Sequence, residues 1–300
     1  MPDAPVGPTA RIVVFGDLID DVVAVPSGPI RHDTDTVSSI RQRPGGSAAN
    51  TASWLGAIGA SVDFVGIVGA GDAARHAADL SRHGARPHLA EHATLPTGAI
   101  VVIVDGETRT MLTERGANAV IDPDAVTDEL LVGAGMLHLT GHTLFGMDAP
   151  DRFTALIARA RDLGVEVCVD PGSAGYIDDF GVEQALAFFE GATILVPNLE
   201  EGRALTGLRE PMAVASALAE RFPLVALTLD ASGVVVAHAG ATPVIVPAVQ
   251  TTIVDPTGAG DAFTAGFLHT LLETGSVDAA AHAGVALASR AVSSIGARPA

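Results

Sequence analysis

Lysine is absent from this 300-residue chain, whose 17 basic residues are all arginines. The absence removes a Walker A phosphate loop and any Schiff-base or pyridoxal phosphate chemistry, because each needs an ε-amino group. Basic charge is scarce in general: 35 acidic against 17 basic residues give a formal charge of −18, which opposes binding to nucleic acid or to an anionic membrane surface. An anionic ligand therefore has to be held locally. Aromatic residues make up only 4% while apolar residues reach 48%, so the core is packed by small and branched side chains. The single cysteine, Cys168, lies in the apolar run Val165-Glu166-Val167-Cys168-Val169. It cannot close an internal disulfide and reads as core rather than nucleophile, which suits a reducing cytoplasm. No unbroken apolar run is long enough to cross a bilayer, and "MPDAPVGPTA" lacks the basic and apolar regions of a signal peptide. The expectation is a soluble cytoplasmic protein.

What is present is an alternation of short β-branched runs with Ala/Leu-rich helical runs, the pattern of a mostly parallel sheet covered by helices. Candidate strands are Arg11 to Gly16, Val62 to Val68, Met136 to Thr140, Val165 to Asp170, Thr193 to Asn198 and Val225 to Asp230. A helix is expected at Asp151 to Leu163, where Phe153, Leu156, Ile157 and Ala160 recur at helical spacing. Two places break the rhythm. The runs Val22 to Val25, Thr36 to Gln42, Gly98 to Val104 and Thr108 to Thr113 have no helix within each pair, and "DGET" (Asp105 to Thr108) is a hairpin turn signal. They predict a small separate sheet. Gly233 to Ala239 and Thr242 to Pro247, joined by Gly240-Ala241, predict an antiparallel hairpin at one edge of the main sheet. With no internal repeat or low-complexity linker, the chain is expected to be one α/β domain over residues 1–300 with a small β appendage.

Three stretches carry candidate chemistry. In "IVDPTGAGDAFTAGF", Gly258-Ala259-Gly260-Asp261 forms the first turn of a helix, whose free amides and dipole make an anion site. A carboxylate there, Asp261, can take a proton from a substrate hydroxyl, or it can be an ordinary first-turn acid. In "RPGGSAANTASWLGAIG", Gly45-Gly46 make a turn before an Ala-rich helix, and Asn50 can hydrogen-bond a sugar's hydroxyls or simply belong to a helix start. In "ILVPNLEE", Asn198 and Glu201 stand one turn apart at a strand-to-helix junction. That pair can orient magnesium-bound water beside a phosphate, or form a capping box, and the two are compatible.

"GGSAAN", "PNLEEG" and "DPTGAGDAFTAGF" together resemble, in order and at roughly the right spacing, the motifs of the ribokinase/PfkB family of sugar and nucleoside kinases. The resemblance runs from "VVFGDLIDD" to the terminal "IGA". It implies a ribokinase-like fold, ATP-dependent phosphorylation of a small sugar or sugar-like acceptor, Mg2+, and a monovalent cation, K+. It also implies that the β appendage, strands at about 22–42 and 97–113, is a lid over the acceptor and a homodimer interface. Position by position, Asp261 resembles the catalytic base, and the amides of Gly258, Ala259 and Gly260 resemble the anion hole. Asp21, Gly45, Gly46 and Asn50 match the acceptor-binding residues. Asn198 and Glu201 match the metal and phosphate motif, Glu201 acting on Mg2+ through water. Thr228, Asp230 and Gly233 in "TLDASG" match the nucleotide loop, and Asp255 with a backbone group near Gly296 matches the monovalent-cation site.

The sequence departs from the family at four places: Ser47 replaces the lysine of ribokinases proper, Asp230 a glycine, Pro256 a threonine, and "VGAGDAA" lacks an acidic pair. Thr140, His142 and Asp170 sit at strand ends where ligands collect, and Arg109 and Arg115 lie in "TRTMLTERGAN", so all are candidate pocket residues. His138 and His142 straddle a strand end and do not share a helical face as zinc ligands would. A nucleoside kinase is the nearest alternative, although a lid nearly without aromatic residues gives a nucleobase little to stack on. A non-catalytic sensor on the same scaffold is a second alternative. The third is an NAD-binding oxidoreductase, since Val65 to Ala74 reads as strand, G-x-G-x-x-A, helix, with Glu91 about twenty residues beyond the motif.

Overall fold

The computed structural model describes residues 11–105, 108–145 and 151–300, without the side chains of residues 105, 108 and 109. The N-terminal ten residues, the centre of the "DGET" turn and the side chain of Arg109 lie outside that set. Strand β1 (Arg11–Phe15) explains the architecture. Val13 and Phe15 enter one apolar layer with Leu137, Leu139 and Phe153, while Ile12 and Val14 enter another with Leu55, Phe64 and Phe263. A strand apolar on both faces belongs inside a parallel sheet covered by helices on both sides.

The remaining strands are β2 (Ile19–Pro26), β3 (Ser38–Gly45), β4 (Val62–Gly69), β5 (Arg86–His92), β6 (Gly98–Asp105), β7 (Thr108–Glu114), β8 (Ala134–Thr140), β9 (Glu166–Asp170), β10 (Ile194–Leu195), β11 (Leu224–Thr228), β12 (Val234–His238) and β13 (Val244–Val246). The large sheet has the order β13-β12-β11-β10-β9-β8-β1-β4-β5. It is parallel from β11 through β5, and β12 and β13 add the antiparallel edge hairpin. The small sheet, β3-β2-β6-β7, is assembled from the four runs that broke the helical rhythm. Within it β2 pairs β6 in parallel, and Asp21 on β2 stands between Arg43 of β3 and Ile100 of β6.

Two expectations need adjustment. Strand β5, "RPHLAEH", has no apolar run, because it is an edge strand paired on one side and its side chains alternate outward. The run read at Thr193 to Asn198 keeps regular pairing only at β10. Pro197 has no N–H to give, so the chain continues with its carbonyl accepting from Thr228 N at 2.9 Å and a single bridge between Asn198 and Thr228.

The shortage of aromatic side chains is met by close helix packing. Where the helices Ala259–Thr274 and Val277–Val292 meet, a Cβ on Gly266 would lie 2.8 Å from the Ala283 carbonyl oxygen, and one on Gly284 2.7 Å from the Phe263 ring. At the other side of the sheet, β1 lies between β4 and β8, so successive crossovers leave in opposite directions and open a crevice beyond the strand ends.

The dinucleotide fingerprint does form strand, turn and helix, but its turn is already filled. Glu91 Oε1 accepts from Gly71 N at 3.2 Å and Ala73 N at 3.1 Å, and Asp72 is bound to Arg75 and Thr97. The acid that completed the fingerprint, Glu91, is the internal ligand of the turn. The oxidoreductase reading loses its phosphate cradle.

Candidate active site

Asp261 lies in the first turn of the helix Ala259–Thr274, whose N-cap is Gly258 in left-handed backbone, φ 78°. Only glycine serves there, because a Cβ would also meet the Ala297 carbonyl oxygen at 2.5 Å. A Cβ on Gly260, by contrast, would meet no protein atom within 4 Å, so the space beside it belongs to the cleft. Among the described residues the amides of Gly258, Gly260 and Asp261 have no hydrogen-bond partner, whereas Ala259 N makes a long turn bond of 3.3 Å to Pro256 O. Of the three amides expected to receive a phosphoryl group, those of Gly258 and Gly260 stand open at the helix end and that of Ala259 is engaged in the turn.

The Asp261 carboxylate faces a cavity of about 290 Å³ and is held from the helix Ser47–Ala57. Ser47 Oγ donates to Oδ1 at 2.7 Å and Asn50 Nδ2 donates to Oδ2 at 2.9 Å. Burial pushes the Asp261 carboxyl up to about 7, against these two donors and with help from Asp17 and Asp21. Asn50 thus faces the acid rather than standing free for a sugar. Its Oδ1 accepts from Arg298 Nε at 3.0 Å.

Asp21 reaches the same cavity from β2, and a Cβ on Gly45 opposite would lie 2.4 Å from Asp21 Oδ2, so any larger residue there would displace that carboxylate. Burial raises the Asp21 carboxyl to about 6, opposed by Arg298. Gly46, φ 96°, lines the cavity and starts the helix. Beside it Asp17, directly after β1, accepts Ser47 N at 2.8 Å and Ala48 N at 3.2 Å and so caps that helix from another segment. The small sheet supplies Ile19, Ile100, Val102 and Met111 as an aliphatic wall.

Opposite lie His142, Asp170, Asn198 and Glu201. Asn198 and Glu201 form a reciprocal capping box at the helix Leu199–Thr206. Glu201 Oε2 accepts from Asn198 N at 2.9 Å and Oε1 from Asn198 Nδ2 at 2.6 Å. Burial raises the Glu201 carboxyl to about 7, and Asp170 is raised well above the usual carboxylate range by burial and by the charges of Glu201 and Asp261. Five carboxyls line the cavity, three of them pushed up to about 6 or 7, so the site is short of positive charge, yet among the described residues no three of them converge closely enough to hold a metal ion directly. Burial lowers the pKa of His142, opposed by Asp17.

A second cavity of about 370 Å³ adjoins the first and shares Asn198, Thr228 and Gly260 with it. Its wall includes Asp230, Gly233, Val249, Ile253, Phe263 and Val292. Asp230 adopts φ 48°, a left-handed turn that aspartate tolerates, which explains how it stands in a glycine position. A Cβ on Gly233, φ 101°, would meet the Val246 carbonyl at 2.0 Å. Asp255 lies beneath, accepting from Thr257 N, Thr257 Oγ1 and Gly296 N at 3.0, 2.7 and 3.0 Å.

Two expected pocket residues sit elsewhere. Thr140 is fully buried behind the cavity, donating to Asp17 Oδ1 at 3.1 Å. Arg115 lies over the Tyr176 ring at 4.8 Å and donates to the His142 carbonyl at 2.8 Å, so it fixes a wall rather than facing the cavity. A strand end predicts nearness to the crevice but not the direction of a side chain. Asp17, Ser47 in its contact with Asp261, and Arg298 were missed. Only Asp17, an acid one residue past the glycine that ends a buried strand, left a legible signal.

Comparison with known proteins gives the family that shares this assembly. Residues 9–300 match the model for the pfkB family of carbohydrate kinases, and the chain belongs to that family. It is 31% identical over 277 residues to an ATP-dependent ribose-1-phosphate kinase of Halopiger xanaduensis, covering 90% of this chain and 88% of that one. It is 33% identical over 279 residues to a 1-phosphofructokinase of Rhodobacter capsulatus, covering 87% and 84%. A further relative is the bifunctional protein HldE of Edwardsiella ictaluri, 29% identical over 273 residues. The match covers 84% of this chain and 53% of that protein, so the chain spans about half the length of these bifunctional relatives. Adenosine kinase from Sinorhizobium meliloti superposes with a TM-score of 0.83 at 25% identity, covering 97% and 96%. A probable sugar kinase from Rhizobium etli superposes with 0.85 at 20% identity, covering 97% and 95%. The fold is ribokinase-like.

Proposed function

We propose that the protein transfers the γ-phosphoryl group of ATP to a hydroxymethyl group of a small sugar or sugar-like acceptor. The observation that carries this reading is the meeting of two cavities at Asn198, Thr228 and Gly260, beside the open amino end of the helix that bears Asp261. The acceptor occupies the first cavity under the small sheet and the nucleotide the second, against Thr228, Asp230 and Gly233. Asp261 takes the proton of the attacking hydroxyl as the new O–P bond forms. The free amides of Gly258, Gly260 and Asp261 receive the charge of the transferring group. Asp21, Gly46, His142 and Asp170 position the acceptor, with Gly45 making room for Asp21 and Asn50 acting through Asp261. Glu201 and Asn198 would hold magnesium-bound water, and that ion's contribution is neutralisation of phosphate charge.

The aliphatic wall of Ile19, Ile100, Val102 and Met111 favours a sugar over a nucleobase, which binds best to a flat aromatic partner. Asp255, with the chain at Gly296, would hold a monovalent cation, potassium. The exposed Ile40 and Leu112 on the small sheet suit a homodimer formed through the lid. No helix among the described residues is long and apolar enough to cross a membrane, which accords with a cytoplasmic enzyme.

The test is turnover with ATP and magnesium, with and without potassium, over free sugars, the sugar phosphates named for the relatives, and nucleosides. The same assay is run on Asp261→Asn. Loss of the base is expected to lower kcat by ~10²–10⁴-fold at nearly unchanged acceptor KM. Near-normal turnover in that variant would remove Asp261 from the role, and no turnover with any acceptor would favour a sensor.

A further inference from the structure

The last residues of the chain reach the reaction centre. Trp54 Nε1 donates to the Ala297 carbonyl at 2.8 Å and seats the terminal segment against the helix Ser47–Ala57. Arg298 then enters a nearly closed site, its side chain 7% exposed. Its Nη1 pairs with Asp79, its Nη2 donates to the Gly45 carbonyl at 2.8 Å, and its Nε donates to Asn50 Oδ1.

A guanidinium has donors only. Asn50 must therefore turn its carbonyl oxygen to Arg298 and its NH2 to Asp261 Oδ2, 2.9 Å away. Without that constraint the amide is free to flip, and a flipped amide sets an oxygen against the carboxylate with no donor between them. We propose that Arg298 is a positioning residue for phosphoryl transfer, fixing the orientation of the Asn50 amide and through it the aim of Asp261. The proposal rests on Asp261 being the base, and none of the three motifs contains Arg298. The other ionisable groups facing Asp261 are Asp17, Asp21 and Asp170, from three different segments, and all are acids. Arg298 is the cation that favours the charged form of Asp21, and Asp79, Asp21 and Asp261 in turn favour its own charge against burial.

The experiment compares Arg298→Gln, Asn50→Ala and their combination in kcat, in KM for both substrates and in the pH profile of kcat/KM. Arg298→Gln is expected to lower kcat about 10-fold or more, since small misplacements of a reacting group are costly, with KM for ATP unchanged. Its acid limb should move to higher pH by about one unit, as expected when a favourable neighbour is lost. The double variant should lose no more than Asn50→Ala alone, because both act through one amide. Arg298→Lys, which keeps a donor and the charge, should recover part of kcat. Because Arg298→Gln leaves the largely buried Asp79 with only the exposed Arg82 as its cation, Asp79→Asn with Arg298→Gln supplies a neutral pair if the single variant does not fold, and the same kinetic loss is expected. Normal kcat and acid limb in either, or losses that multiply in the double variant, would overturn the proposal. Asp261→Asn run alongside separates the two levels: if it keeps its turnover the base assignment falls and this proposal with it. If it is inactive while Arg298→Gln is normal, only the positioning role falls.

Discussion

Replacing Ser47 with alanine should cost activity at neutral pH and almost none at high pH. Ser47 Oγ donates to Asp261 Oδ1 at 2.7 Å, a short charge-assisted bond that favours the ionised acid. Burial has already pushed that acid up to about 7, so roughly half of the free enzyme holds the base form at pH 7. A hydrogen bond to a charged group contributes ~1.5–3 kcal/mol, which at ~1.36 kcal/mol per pH unit corresponds to about one to two units of further rise. The base must be charged to accept a proton, so the loss falls on the acid side. At pH 7 the base fraction drops by roughly 5- to 50-fold, and by about pH 10 the variant regains most of wild-type activity. The assay is kcat/KM for the acceptor against pH, which reports the free enzyme and therefore the site as described. A loss of equal size at every pH would show that Ser47 acts on the acceptor or on folding instead. An acid limb left in place would refute the assignment of Asp261 as the titrating base.

Gly260→Ala adds a methyl group where no protein atom lies within 4 Å, in a helix position where alanine is favoured. It should leave Tm unchanged or slightly raised while lowering kcat at least ~10-fold by crowding the phosphoryl group, and normal kcat would place that group elsewhere. Asp21, Glu201 and Asp261 have folded-state values of about 6, 7 and 7, above their ordinary 3.8, 4.5 and 3.8. These three groups bind more protons in the folded than in the unfolded state between about pH 4 and pH 7, so the stability they contribute is lost as pH rises through that window, while His76, His83, His138 and His142, all lowered by burial, act in the opposite sense below their ordinary value. Tm of Asp261→Asn relative to that of the unliganded wild type should therefore rise from pH 5 to pH 8, since the variant lacks the carboxyl that must ionise in the buried site; a Tm difference that does not change with pH would contradict the burial of that acid.

The fold was legible where the physics is local. A strand such as "RIVVF" advertises burial on both faces by its lack of polar alternation, and the four lid runs advertise themselves by the missing helices between them. Strand β5 offered neither signal, since an edge strand half in water needs no apolar run. The open helix end was legible for the same reason, because Gly258 to Asp261 is one turn of one helix. What tunes that turn was not, and the reason is geometric. The open end of a helix and the acid it carries can be reached only by side chains from other segments, since their own helix runs away from them. Ser47 and Asn50 lie 214 and 211 residues from Asp261, and Arg298 lies 248 residues beyond Asn50. The serine found where the family resemblance leads one to expect lysine fits this account. An ammonium at that place would pull the acid's pKa down by charge, whereas here a hydroxyl and an amide do so by hydrogen bonds, with the guanidinium one residue further back. Reactivity of a local motif is thus set by the parts of the chain most remote from it, and a single sequence lists those parts without pairing them.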